Sequence, residues 1–496
     1  MPAIRTGTRE NRAFQRASPD YLISDTATTS SGSSPRPPSR FIARDASPTD
    51  SLSSLSSLDT SPEPEERHKA QGPIVIQGQT LRPNSIVFDT LFQWLYERKT
   101  IDDRRRAGMP APWTTDVILQ NYKFCNAYRV LDRTSQYVIT EVIEKGSQDR
   151  TELLFRILLF NSFNRIDTWK LFLRSFRDTP TWKAFELGEY NKVLTAALNR
   201  GESLFCGAYM KIGHRLDHDA NHMRHLELLQ ILMGVLPSVL AEAKYAADVY
   251  EQIAAFQGMG PFSTYQLMLS LSYSPLLNFS ANDFVIPGIG ASSGLVKLFG
   301  TSMSKAKEVV PGIEADVLRW LTESQCAQFA RLGLDFPYLC GPGGGLLALN
   351  VADMEHAVCE VDKYARKAHP RIRGLGDRTQ LRGTFKMSED VLPAVPVLPK
   401  AWADPARRVA RIREGPLVVE QRYCVLKILA ERPAPADKIH HDEIEYQVSW
   451  FGYDETTWEP RYSILHDAPA VVEEYEATVK TTTTTTGRRK TKKARR

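Results

Sequence analysis

The chain has 496 residues, 42% of them hydrophobic, with 63 Lys/Arg against 58 Asp/Glu and a formal charge of +5. That length holds two or three domains of ordinary globular composition. The last ten residues are mostly Lys and Arg, so the body is not a polycation, and any nucleic-acid contact must come from a local patch or from the tail. Six cysteines (125, 206, 326, 340, 359, 424) lie scattered without Cys-x-x-Cys spacing. This argues against a zinc ribbon, an iron–sulfur cluster or a disulfide framework, and fits a reducing intracellular compartment. No apolar leader opens the chain and no apolar run is expected to reach membrane-spanning length, so neither a secretory signal nor a membrane partner is expected. Nothing calls for a cofactor.

Residues 1–72 are rich in Ser, Thr, Pro and Arg, with Ser-Pro pairs at Ser18, Ser47 and Ser61. They read as a disordered, phosphorylatable arm. Residues 75–388 form one block of helical pattern. Helices are predicted over 151–176, with Leu153, Leu154, Ile157, Leu158, Phe160 and Phe163 at helical spacing, over 224–256 as two helices separated near Pro237, over 313–332, and over 350–367. His214, His218, His222 and His225, with Asp217 and Asp219, have a spacing that can bind zinc. No His-Glu-x-x-His arrangement is present and the charges suit a solvated face, so no metal is expected.

Phe256-Gln-Gly258-Met-Gly260-Pro-Phe-Ser-Thr264 reads as helix, tight hairpin, helix. Such a hairpin presents backbone N–H groups that can hold a DNA phosphate. Asp283 follows about one helix later. This order resembles the helix-hairpin-helix DNA glycosylases, in which a catalytic Asp follows the hairpin. The resemblance makes Asp283 the catalytic candidate. It also places Asn161, Phe163, Asn164 and Arg165, at the tip of an upstream apolar helix, against a flipped base. Phe262 stands where bifunctional members carry a Schiff-base Lys.

Three further segments are dense in polar and aromatic residues: Pro112 to Tyr137, Asp283 to Ala291, and Cys359 to Arg366. Together they look like the glycosylase-related family named for the helical domain of 5-hydroxymethyluracil DNA kinase, also called α-glutamyl/putrescinyl thymine pyrophosphorylase. The resemblance implies action on a modified thymine in DNA. The Pro287-Gly288-Ile-Gly290-Ala291 turn is a second Gly-x-Gly that could cradle phosphate, and either turn could be the DNA-contacting one. Arg129, Arg133, Lys363 and Arg366 could neutralise phosphate charge. Arg129 and Arg133 with Asp132 could equally form a structural ion-pair network.

Residues 389–415, rich in Pro, Ala and Arg, read as a linker. Residues 416–478 then carry Tyr423-x-Val425, Tyr446-Gln-Val-Ser-Trp450-Phe-Gly452-Tyr453 and Thr457-Trp458-Glu459-Pro460. This pattern resembles a chromodomain, three strands and a C-terminal helix. The resemblance implies a methyl-lysine cage of Tyr423, Trp450 and Tyr453, with Glu455 as an acidic lip and Trp458 in the core. Only four residues separate Tyr453 from Trp458, about two fewer than is usual in that family. Residues 416–475 hold twelve Asp/Glu against five Lys/Arg, which suits a basic histone tail. Residues 479–496, a Thr run and a basic tail, read as a nuclear localisation or DNA-binding segment.

The expected protein is mainly α, a helix-hairpin-helix glycosylase-like domain plus a small α+β chromodomain. It is expected in the nucleus, acting on a modified pyrimidine in DNA and addressed to a methylated histone tail. Simple base excision, or DNA and chromatin reading without catalysis, are the alternatives.

Overall fold

The computed structural model describes residues 4–6, 69–207, 220–376, 378–381, 383–387, 392–408, 411–420, 422–434, 444–451, 453 and 455–479. Nearly all of the Ser/Pro-rich arm, the Thr run with the basic tail, and His214, Asp217, His218 and Asp219 lie outside these residues.

The body is helical: α1 (Ser85–Arg106), α2 (Val117–Asn121), α3 (Arg133–Tyr137), α4 (Arg150–Phe163), α5 (Ile166–Phe176), α6 (Leu187–Asn199), α7 (Asn221–Glu242), α8 (Ala246–Ala254), α9 (Pro261–Leu271), α10 (Ile289–Phe299), α11 (Thr301–Val309), α12 (Ile313–Glu323), α13 (Gln325–Arg331) and α14 (Val351–Ala368). Two short hairpins accompany them, β2 (Ile74–Ile76) with β3 (Gln79–Leu81), and β4 (Leu339–Cys340) with β5 (Leu346–Leu347). Asp149 caps α4 by accepting from Thr151 N and Glu152 N. The helix stops at Asn164, which takes the left-handed conformation (φ 45°, ψ 40°). The single helix predicted over 151–176 is therefore two. The 313–332 helix also divides, at Ser324.

Pro237, expected to mark a break between helices, lies inside α7. It sits on the exposed face of that helix. The break falls instead after Glu242. At 22 residues α7 is, by length and composition, apolar enough to cross a membrane, which corrects the expectation that no run reaches that length. It packs along α4 with Leu226, Leu229 and Leu236 in the core.

α10 lies along α14 at close range. A Cβ on Gly294 would overlap the Val358 carbonyl oxygen, so only glycine permits this approach. One apolar core runs through α1, α4, α7, α9, α10, α12 and α14.

The C-terminal module is a sheet of β6 (Arg422–Pro433), β7 (Ile444–Trp450) and β8 (Thr456–Pro460), followed by α15 (Arg461–Asp467) and a further helix at 469–479. Its strands are antiparallel, with Val425 opposite Trp450 and Gln447 opposite Trp458. β1 (Ile4–Thr6) pairs on the outer side of β6. Val425, Tyr446, Val448, Trp450, Ile464 and Val472 form a second, small core. Trp458, expected inside, is only partly buried and carries Arg432 stacked 4.1 Å over its ring.

The module docks on the body. Arg422 N donates to Ala255 O at 2.8 Å, Tyr453 OH donates to Gln257 Oε1 at 3.3 Å, and Cys424 and Phe451 join the core of the body. The segment read as a linker is a hydrogen-bonded strap. It is held by Arg106 at Pro393 O, by Gln136 at Val397, through Trp402 at Ser272 O, through Arg407 at Phe279 O, and through Arg413 at Asp248 and Glu251.

Candidate functional site

α14 carries two polar stripes. Asp353, His356, Glu360 and Lys363, spaced i, i+3, i+7, i+10, contact the 122–133 segment, whereas Glu355, Cys359 and Asp362 contact α10 or the turn before it. The first stripe builds a buried polar centre. Asn350 caps α14 by accepting from Ala352 N and Asp353 N, and Asp353 returns the bond to Asn350 N. The other Asp353 oxygen accepts from Arg129 N at 2.8 Å. This fixes the Arg129 backbone at the start of α14.

The Arg129 guanidinium donates to Gln266 Oε1 on α9 at 2.8 Å and meets His356 Nδ1 at 3.1 Å. Arginine has donors only, so Nδ1 must accept and Nε2 carries the proton. Burial, reinforced by Arg129 and Lys363, holds the His356 pKa well below its usual value, so the ring is neutral. Its Nε2–H is buried without a hydrogen-bond partner among the described residues, 4.0 Å from Asp132 Oδ2. Asp132 Oδ1 accepts from Asn126 N at 2.8 Å. Burial pushes the Asp132 carboxyl up to about 6, and does the same to Asp353.

Around this pair, Arg98 donates to Asn126 Oδ1 and to Cys125 O at 2.8 and 2.9 Å. Glu360 accepts from Cys125 N at 3.2 Å and pairs with Lys363 at 2.5 Å. Burial lowers the Lys363 pKa, but Glu360 together with Cys125 and Cys359 outweighs it and the net shift is upward. Cys125 is pushed well up by burial and Glu360, so it is a thiol. Cys125, Asp132 and His356 bring one ligand atom each within 4.8 Å of one another. With Nε2 protonated, the thiol intact and two cations close by, this set suits a hydrogen-bonded ligand better than a cation.

The other predicted residues fall elsewhere. Arg366 pairs with Asp362, which also holds Lys297 at 3.0 Å and Ser293 at 2.8 Å. Gly288 caps α10 and gives its N–H to Glu355 at 2.9 Å. Gly290 faces the Cys359 sulfur so closely that a Cβ would overlap it. The turn thus serves close helix packing, and its first N–H is already taken. Arg133 is exposed in the first turn of α3.

Asp283 is buried, and its two oxygens accept from Ser280 N and Arg411 N at 3.0 Å each. Burial raises its pKa, and the strap covers it through Arg411. A cavity of about 450 Å³ lies beside this loop, walled by Arg150, Leu240, Leu276, Phe279 and Arg411. The polar centre does not line it.

Phe163 is core, stacked on Phe205. Asn164 ends α4, and Arg165 pairs with the exposed Asp167 at 2.8 Å. Only Asn161 points to α9, through Ser270 at 3.3 Å. Gly258 makes the left-handed turn (φ 88°) between α8 and α9, and Gly260 caps α9 with Pro261 behind it.

Tyr423 meets Trp450 at 6.2 Å and Tyr453 at 5.4 Å between ring centroids, so it stands between the other two rings. Trp450 is buried, with Nε1 donating to Thr457 Oγ1 at 2.8 Å. Glu455 is exposed in the turn before β8. His222 and His225 are buried on α7, and His222 bonds Asn191 Oδ1 at 2.8 Å.

Sequence reasoning missed His356 and Gln266, and weighed Asp132 only as an ion-pair partner. The available signal was the helical stripe Asp353, His356, Glu360, Lys363. No curated protein and no solved structure matches the chain. Residues 85–374, more than half of the 496, match the family model described as "5-hmdU DNA kinase, helical domain", and they span α1 to α14 with the whole polar centre. The chain belongs to the family of 5-hmdU DNA kinase helical domains.

Proposed function

We propose that the helical body modifies a 5-hydroxymethylpyrimidine in DNA, and that the centre formed by Arg129, Asp132, Gln266 and His356 is where the base is met. One observation carries this reading: a neutral imidazole, fixed in one tautomer, with a buried unsatisfied N–H beside a carboxyl that titrates near 6. Buried donors are almost always satisfied, so an orphan in a polar cluster marks a place for a ligand acceptor. A pyrimidine carbonyl or a hydroxymethyl oxygen is such an acceptor. A carboxyl shifted toward neutrality can take or give the proton that the reaction moves. Lys363, partly exposed, and Arg133, exposed, stand where the DNA backbone can be held.

Family membership supports the substrate class, because the family's description names 5-hmdU. In this reading Asp283 fixes the strap against the body. Catalysis from Asp283 remains the rival assignment. The decisive experiment is mass spectrometry of nucleosides released from hydroxymethyluracil-containing DNA, or its phosphorylated form, after incubation with the protein. A substituted base supports modification, and an abasic site supports excision. Unchanged DNA with retained binding leaves only the reader.

We further propose that the C-terminal module is a chromodomain that reads methyl-lysine, addressing the body to chromatin in the nucleus. The support is the clustering of Tyr423, Trp450 and Tyr453 on a three-strand meander with a C-terminal helix. Preference for a trimethyl-lysine histone peptide over the unmethylated one, lost in Trp450→Ala, tests this.

A further inference from the structure

β6 has β7 on one side; on the other it pairs with β1 alone among the described residues. Without β1 it would be an edge strand, a row of backbone donors and acceptors open to any extended chain. The pairing is antiparallel, Ile4 opposite Cys424, Arg5 opposite Tyr423, and Thr6 opposite Arg422. It therefore lies directly beside the ring cluster of Tyr423, Trp450 and Tyr453. Charge favours it as well. Residues 1–16 hold four Arg against one Glu, while residues 416–475 hold twelve Asp/Glu against five Lys/Arg.

We propose that the outer edge of β6 is a strand-addition site for an extended basic peptide, and that β1 (Ile4–Thr6) is its built-in, displaceable occupant. Three residue pairs make a weak strand. Its tether through residues 7–68 sets its local concentration, so an outside peptide must outcompete a neighbour that never leaves. The site is thereby kept from weak or nonspecific basic chains. The inference needs no methylated residue, so it stands or falls apart from the methyl-lysine reading.

The test uses a fluorescein-labelled, unmethylated peptide with the sequence of residues 1–12 as probe. It is titrated by polarisation into the full chain and into a chain lacking residues 2–8. The truncated chain should bind the probe at least ten-fold more tightly. A full-length Ile4→Pro/Arg5→Pro variant should open the site in the same way. Successive N–H groups along a strand point to opposite sides, so one of the two prolines removes a donor aimed at β6. The same pair of prolines in the probe should abolish its binding. Hydrogen exchange gives a second readout. Amide protection at Tyr423, which lies opposite Arg5, should fall in the truncated chain and return when the probe is added, while the Arg422 N–H bonded to Ala255 O stays protected. Equal probe affinity for full and truncated chains, binding to neither, or unchanged protection would overturn the proposal.

Discussion

At the scale of single residues, His356 offers the sharpest test, because its tautomer is set by a partner that can only donate. His356→Gln keeps an N–H donor near the place of Nε2, whereas His356→Phe removes it and keeps the bulk. On the proposed chemistry the Phe variant should lose about 10²-fold or more in turnover of hydroxymethyluracil DNA, with Gln recovering part of it. Nucleoside mass spectrometry over time measures both. Asp132 gives a prediction in pH. Its folded pKa lies near 6, above the ordinary 3.8, because burial penalises the charged form. The raised value means that the folded state holds the proton longer than the unfolded chain. The resulting stability cost is absent below about pH 4, grows as pH rises through 6, and is complete above it. Asp132→Asn keeps the acceptor for Asn126 N and removes the charge. It should stabilise the protein at pH 7 by up to about 3 kcal/mol, with the gain vanishing near pH 4; denaturant melts across that range check it. Asp283→Asn separates two roles. Both Asp283 oxygens accept backbone N–H bonds, so an amide must turn one donor against another. If Asp283 only anchors the strap, the variant melts at lower temperature and residues 392–413 are cut faster by protease. If Asp283 is also catalytic, turnover measured well below the melting temperature is abolished while DNA binding persists, a loss that the broken backbone bond does not explain.

Among the elements, α14 shows what the sequence made legible and what it hid. Its limits were plain, since an Asn350–Asp353 capping box opens it and Arg366 and Lys367 close it. Its charged residues were legible only as one dense run. Their division into a stripe facing Arg129 and a stripe facing α10 depends on which neighbours pack there, and no local pattern encodes that. Gly288 and Gly290 misled for the same reason. A Gly-x-Gly turn is equally suited to holding an anion and to bringing two helices together, and here Cys359 and Glu355 fill the space. The close approach can be probed directly. Gly290→Ala should destabilise by about 1–3 kcal/mol, and Cys359→Ala in the same chain should restore much of it, because the obstacle is a side-chain sulfur. Gly294→Ala should cost more, and no side-chain truncation at Val358 should rescue it, because the nearest obstacle is a backbone carbonyl. Thermal melts of the four variants separate these cases.

For the whole molecule, the helical body and the small C-terminal sheet were legible as separate patterns, one with helical periodicity and the other with a run of strand aromatics. Their union was not. Residues 389–415 have the composition of a linker, yet contacts from Arg106, Gln136, Ser272, Phe279, Asp248 and Glu251 tie the segment down. Such contacts join residues more than a hundred positions apart, beyond any window of sequence periodicity. The hairpin at Gly258 sits beside the sheet for the same reason, with Gln257 bonded to Tyr453 and Glu251 to Arg413. Phe451 is the apolar pin of that joint, a residue of the sheet module buried in the core of the body. With the pin in place, unfolding the sheet exposes some of the body's core, so calorimetry of the wild type should show one transition. Phe451→Ala removes a buried ring at a cost of about 3–5 kcal/mol, and that cost falls on the joint more than on either core. The variant should therefore unfold in two steps, the sheet first, with the body's own transition close to its original temperature. A single transition shifted down as a whole would mean that the strap, and not Phe451, couples sheet and body; Arg413→Ala would then be the variant that splits them.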